Sequence, residues 1–188
     1  MDRVKRSEFK INLEKLRSWL SNLKEAPEYG SWKSENGKTY LKKGSKYFGW
    51  SVFVHSDKRP GVNGCLLRKS YPGILHTDFK NKSKICYGYL EEILKQFPRA
   101  FRASIIGLYP GFQYLPHKDA PEDSFRMHIA IQTNPQCQMK YGNEYFHIPA
   151  DGFIWMAKTD ETHLAFNLGN EPRIHLTWQM PMTKDNDF

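Results

Sequence analysis

The sequence predicts a mainly β chain, a sandwich or barrel of short strands flanked by two amphipathic helices. Three observations carry that prediction. From residue 101 onward apolar residues recur with period two, in runs separated by the turn pairs Pro110-Gly111, Asn134-Pro135, Gly142-Asn143, Asp151-Gly152 and Gly169-Asn170, as in many short strands. Before residue 100, two segments carry apolar residues at helical spacing instead. Apolar residues make up 39% and aromatic residues 14% of the chain, enough for a sizeable core and too much for a disordered chain.

In order, Phe9, Leu13, Leu16, Leu20 and Leu23 form one apolar stripe, predicting a helix over 7–24 that packs on a sheet. Ala26-Pro27 ends it, and Gly30, Asn36-Gly37 and Gly44 break the next stretch into short pieces. Residues 47–56 are rich in β-formers and predict a strand, and 58–64, with a proline and two glycines, a loop. Ser83 is placed to cap a second helix reaching Phe97, with Ile85, Tyr89, Ile93 and Phe97 four apart and Pro98 as the stop. Strands are then expected over 101–109 and 112–117, a loop over 119–124, and further strands over 125–133, 144–148, 152–157, 163–168 and 172–180. The tail 183–188 is expected to fray. At 188 residues the chain is read as one domain, residues 1–100 supplying helices and supporting strands and 101–182 the core.

The N-terminus is charged and lacks the apolar segment of a signal peptide, and no apolar run is long enough to span a bilayer. The expectation is a soluble, intracellular (cytoplasmic) protein with no membrane partner. Cys65, Cys86 and Cys137 form neither a disulfide framework nor a zinc-type pair, which fits a reducing compartment. The net charge of +8 sits largely in the clusters Lys42, Lys43, Lys46 and Lys80, Lys82, Lys84. Neither has the interleaved aromatics of a single-strand binding platform, so a solvated basic surface is expected and nucleic acid is not the expected partner.

The chemistry is concentrated between His117 and Arg173. His117 and Asp119 are two residues apart, on one face of a strand, where they can share a cation. With His163 they make a two-histidine, one-carboxylate set, which binds Fe(II) and leaves positions open. Arg126 and His128 share a face of the alternating run 125–131, and Arg173 opens the run 173–178. Two arginines on a polar inner face beside such a triad suit a dianionic co-substrate. A second His-x-Asp, His76-Thr77-Asp78, lies in a polar segment without strand alternation and with no Arg-x-His nine residues on; it is read as a surface loop, with the option of facing substrate. His175 shares the face of Arg173, lining the pocket or making a structural bond. His55 and His147 are read as structural, Trp155 and Trp178 as core, and Trp50 as either packing or a substrate wall.

These residues resemble the aspartyl/asparaginyl β-hydroxylase-like family of Fe(II)- and 2-oxoglutarate-dependent dioxygenases. The resemblance rests on the offsets from His117 to Arg126 and His128, nine and eleven residues, and from His163 to Arg173, ten. It implies a double-stranded β-helix, the jelly-roll or cupin-like fold, using Fe(II), 2-oxoglutarate and O2. It further implies that Arg126 and His128 contact the C1 end of 2-oxoglutarate and Arg173 its far carboxylate. The animal enzymes that name the family have glycine at the position of Asp119; the carboxylate is more like bacterial members, some of which hydroxylate free proline. The implied substrate is an amino-acid side chain, Asp-, Asn- or Pro-like, in a peptide, in a protein or free. Two alternatives are a nucleic-acid oxidative demethylase and a non-catalytic cupin-like binding module. Against the first, such demethylases typically carry a second arginine six residues after the co-substrate arginine, where this chain has Gln179. Against the second, a silent module has no need of Arg173.

Overall fold

The computed structural model describes residues 2–26, 28–29, 41–56, 75–119, 121 and 123–182. Along them run β1 (Val4–Lys10), α1 (Leu13–Ser21), β2 (Glu28–Tyr29), β3 (Tyr47–Ser51) and β4 (Phe53–Val54). Then come β5 (Asn81–Lys82), α2 (Gly88–Lys95), β6 (Phe101–Leu108), β7 (Ser124–Gln132) and β8 (Cys137–Tyr141). The last are β9 (Glu144–Phe146), β10 (Phe153–Ala157), β11 (Leu164–Asn167) and β12 (Arg173–Pro181). The loop expected over 58–64, Cys65 and the tail 183–188 lie outside the described residues.

A large antiparallel sheet runs in the order β1-β10-β7-β12-β6-β3-β2, and a smaller one in the order β11-β8-β9. The smaller sheet is widened by the segment 112–117, bridged at Gln113 to Phe166 and at His117 to His163. Apart from β3 and β2, neighbours in the large sheet are not consecutive in the chain, as the double-stranded β-helix requires. This is a mainly β fold with two helices, as the sequence pattern predicts, and the jelly-roll that the family resemblance implies.

Alternation along the central strands builds two different faces. Phe125, Met127, Ile129 and Ile131 of β7, with Leu176 and Trp178 of β12, pack under Leu16 and Trp19 of α1 and Leu90, Ile93 and Leu94 of α2. The other face meets the small sheet through a second core, in which Val4, Ala130 and Ala157 touch Met139, Tyr141 and Ala165. Arg126, His128, Arg173, His175, Thr177 and Gln179 occupy the alternate positions, so they face between the sheets. Helices thus dry one side of the large sheet while polar groups gather on the other.

Local expectations shift where tertiary pairing overrides pattern. The helix over 7–24 begins only at Leu13, because Val4–Lys10 pairs with β10 as an edge strand and Asn12 accepts from the Lys15 N–H as N-cap. Phe9 is consequently exposed. The helix expected from Ser83 begins at Gly88, since the Ser83 hydroxyl donates to the Ser51 carbonyl instead of capping. The strand over 47–56 breaks at Val52, whose N–H turns to the Ala103 carbonyl. Strand β8 is absent from the sequence expectations. Trp178 is fully buried as expected, whereas Trp155 is half-buried at the edge of the second core. Trp50 packs on the helix-side core and donates to the Lys24 carbonyl, the packing alternative of its two readings. No helix among the described residues is long and apolar enough to cross a membrane.

Candidate metal centre and inner face

His117, Asp119 and His163 come together where the 112–117 segment meets the residue before β11. The His117 and His163 backbones exchange two hydrogen bonds of 2.9 Å, which sets their side chains beside one another. The Asp119 N–H is held by the Thr159 carbonyl at 2.8 Å. One ligand atom from each of the three residues lies within 4.8 Å of the others.

The imidazoles are oriented for a cation. Nδ1 of His117 lies 2.8 Å from the Leu115 carbonyl, and Nδ1 of His163 lies 2.9 Å from that of Glu161. A carbonyl only accepts, so each Nδ1 donates to it, the usual outer partner of a metal-binding histidine, and Nε2 is the ring nitrogen left to meet a cation. Glu161 is itself tied to Arg3 at 2.8 Å and to Lys158 at 3.2 Å, which steadies the loop supporting His163. Asp119 Oδ1 lies 3.6 Å from His117 Nε2, while Oδ2 pairs with Arg126 at 2.6 Å.

Burial and charge fix the protonation states. Burial opposes ionisation of Asp119, but the Arg126 guanidinium and the His117 contact override it and hold the carboxyl well below the usual carboxylate range. Burial, together with the nearby positive charges of Arg173 and Arg126, keeps His128 neutral far below its ordinary range. Burial and Arg173 do the same to His175. His163 is lowered chiefly by burial. These are acceptors and neutral ligands rather than cations.

Arg173 lies at the other end of the inner face, 7% exposed, and burial pushes its pKa down to about 10. Its guanidinium contacts His175 Nδ1 at 2.8 Å, and that nitrogen in turn lies 3.4 Å from His128 Nδ1. Through Nδ1, His175 supports Arg173. The buried Nε of Arg126 and Nε2 of His128 and of His175 have no hydrogen-bond partner. Unpaired polar atoms of this kind are costly unless a ligand meets them. Together with a cluster of two nitrogens and one oxygen, they fit Fe(II) and a dianionic co-substrate.

The rival motif is not part of this centre. His76–Asp78 forms a 3-10 turn, partly buried rather than a surface loop, and His76 Nδ1 contacts Arg102 at 3.0 Å. His147 bonds the Cys137 carbonyl, and the His55 ring leans on Phe79, both structural as expected. One residue missing from the sequence expectations is Tyr141. Its ring stacks on His163 with centroids 5.5 Å apart, and its buried hydroxyl has no hydrogen-bond partner. The alternation Cys137, Met139, Tyr141, buried at each position, was the available signal.

A profile of the family described as Aspartyl/Asparaginyl beta-hydroxylase matches residues 11–182. No curated protein matches the chain significantly. Among solved structures, a 2OG-Fe(II) oxygenase family oxidoreductase from Burkholderia pseudomallei aligns over 89% of this chain and 78% of its own, at 13% identity and a TM-score of 0.54. A prolyl-4-hydroxylase from Pseudomonas putida aligns over 73% of this chain and 92% of its own, at 14% identity and a TM-score of 0.35. A predicted oxalate decarboxylase from Thermotoga maritima covers 49% of this chain and 74% of its own, at 20% identity and a TM-score of 0.37. The Burkholderia structure supports the jelly-roll fold.

Proposed function

The chain belongs to the aspartyl/asparaginyl β-hydroxylase family, and on that premise we propose that it hydroxylates an amino-acid side chain, Asp-, Asn- or Pro-like, in a peptide, in a protein or as the free amino acid. Membership makes it a 2-oxoglutarate- and Fe(II)-dependent dioxygenase. The observation that carries the site assignment is the cluster of His117, Asp119 and His163, the ligand set of non-haem Fe(II) oxygenases. His117 and His163 would bind iron through Nε2, each fixed by the carbonyl at its Nδ1. Asp119 would bind through Oδ1, since Arg126 engages Oδ2.

When bound, iron and 2-oxoglutarate would supply the oxidising chemistry, one atom of O2 being taken up as the co-substrate loses CO2 to give succinate and the other entering a substrate C–H bond. The side chains supply position and charge. Arg173 would pair with the far carboxylate in a buried setting where a bidentate fork is strong. Arg126, through its unpaired Nε, and neutral His128 would steady the C1 end. No side chain need act as a nucleophile.

The test is anaerobic calorimetry with Mn(II) and 2-oxoglutarate, followed by aerobic succinate release with free amino acids, short Asp-, Asn- and Pro-containing peptides, and methylated single-stranded DNA and RNA. Metal-dependent binding of 2-oxoglutarate and stimulation by an amino acid or peptide are expected. Stimulation by a methylated oligonucleotide alone would move the substrate to nucleic acid. Failure to bind metal would remove the site assignment.

A further inference from the structure

We propose that His175 is a positioning residue that couples the two ends of the co-substrate site. Its hydrogen bonds to Arg173 and His128 run one way in the ligand-free protein and reverse when Arg173 takes a carboxylate, which turns His128 Nε2 from an acceptor into a donor. The coupling rests on the iron and 2-oxoglutarate reading of the same inner face.

The residues concerned lie in a line. His175 is two residues from Arg173 on the same face of β12. In the ladder with β7 it stands opposite Ala130, which makes His128 its diagonal neighbour. The next inner residue of β7 is Arg126, paired with Asp119 at 2.6 Å. From the far-carboxylate end to the metal cluster the face therefore reads Arg173, His175, His128, Arg126, Asp119. Further along β12 the polar groups are already matched. Thr177 Oγ1 donates to the Ser104 carbonyl at 3.4 Å, and Gln179 accepts from Arg102 at 3.1 Å and donates to Ser124 Oγ at 3.2 Å. The two histidine Nε2 atoms are not: both are buried and lack a hydrogen-bond partner.

The donors and acceptors fix a direction. A guanidinium only donates, so His175 Nδ1, 2.8 Å from Arg173 Nη2, accepts and carries no proton. His128 Nδ1 lies 3.4 Å from that same atom. It carries a proton, because two bare nitrogens there would set lone pair against lone pair. Burial and the charge of Arg173 keep both rings neutral, so each holds one proton, His175 on Nε2 and His128 on Nδ1. His128 Nε2 is left as an acceptor, the wrong polarity to meet the C1 carboxylate.

Arg173 controls that polarity. Among the described residues the one hydrogen bond of its guanidinium is to His175. When the fork turns to the far carboxylate, His175 Nδ1 loses its donor. One proton then crosses from His128 Nδ1 to His175 Nδ1, while the Nε2 proton of His175 leaves to water and His128 Nε2 takes one from water. No proton is gained or lost overall. The bond between the rings persists with its direction reversed, and His128 Nε2–H faces the C1 carboxylate in a charge-assisted bond. Binding at one end thereby prepares the other.

The experiment uses the full chain, labelled with 15N at histidine and loaded with Zn(II) as a diamagnetic stand-in for iron, before and after addition of 2-oxoglutarate. Two-bond 15N–1H correlations read which ring nitrogen carries the proton, and His128→Gln and His175→Gln assign the two rings. Before addition, the proton should sit on Nδ1 of His128 and Nε2 of His175; after it, on Nε2 of His128 and Nδ1 of His175. In calorimetry at saturating Mn(II), His175→Phe should raise the 2-oxoglutarate dissociation constant roughly tenfold. His175→Asn, which restores a polar atom near the place of Nδ1, should lose less, and neither should alter Mn(II) affinity without 2-oxoglutarate. A His128 proton on Nε2 before addition, or the same tautomers before and after 2-oxoglutarate binds, overturns the coupling and leaves the Arg173 clamp standing. Failure of 2-oxoglutarate to bind the metal-loaded wild type removes the co-substrate reading, and the coupling with it.

Discussion

Arg126 Nη2 lies 2.6 Å from Asp119 Oδ2, tying a central strand of the large sheet to the loop that bears the carboxylate of the metal cluster. The pair fixes which oxygen of Asp119 faces the two histidines. Arg126→Gln should therefore weaken Mn(II) binding by roughly ten- to hundredfold, the usual cost of losing a partner behind a metal ligand. In an Asp119→Gly background the same substitution should have little further effect, because the group it orients is gone. Equal losses in both backgrounds would show that Arg126 acts independently of Asp119.

Arg173→Gln should raise the 2-oxoglutarate dissociation constant by at least tenfold at saturating Mn(II), since a charge-assisted bond contributes about 1.5–3 kcal/mol and a buried bidentate pair more. Metal affinity without 2-oxoglutarate should change far less. An unchanged 2-oxoglutarate constant would transfer the clamp to another cation, with Arg126 the first to examine.

Much of this site is legible in the sequence because its strands have unlike faces. In β7 and β12 every second residue is apolar and packs under the helices, leaving Arg126, His128, Arg173 and His175 in register on the other side. Edge elements are less legible. Strand β1 has both charged faces open to solvent over most of its length, so the chance spacing of Phe9 with Leu13 reads as helix. The pairing of Arg126 with Asp119 and of Arg102 with Gln179 depends on contacts between distant segments, which no local period reveals. Tyr141 was readable by alternation, but the pair 137–141 and 144–146 reads as a single strand when only the latter is assigned.

The buried histidines give the metal-free protein a pH-dependent stability. His128, His163 and His175 have folded-state values below the ordinary 6.5, so below about pH 6.5 the unfolded chain binds more protons than the folded one. Stability is fully present above that value and is lost as pH falls through it. The urea midpoint should drop between pH 7 and pH 5, with a shallower slope in His175→Gln. A flat profile would mean that these groups ionise freely in the folded protein.

Gly107 of β6 lies against the Phe48 ring of β3, and a Cβ there would collide with that ring. Gly107→Ala should cost about 1–3 kcal/mol through overpacking, measured by urea unfolding. Adding Phe48→Ala should recover part of that loss; an unaltered midpoint in Gly107→Ala would contradict the packing described.

The most direct test of the metal centre is anaerobic Mn(II) titration of the wild type, His117→Ala, His163→Ala and His76→Ala. One equivalent should bind the wild type and His76→Ala with similar affinity, and both triad variants should bind far more weakly, because two remaining ligands hold the ion poorly. Unchanged Mn(II) affinity in both His117→Ala and His163→Ala, or its loss in His76→Ala alone, would contradict the assignment.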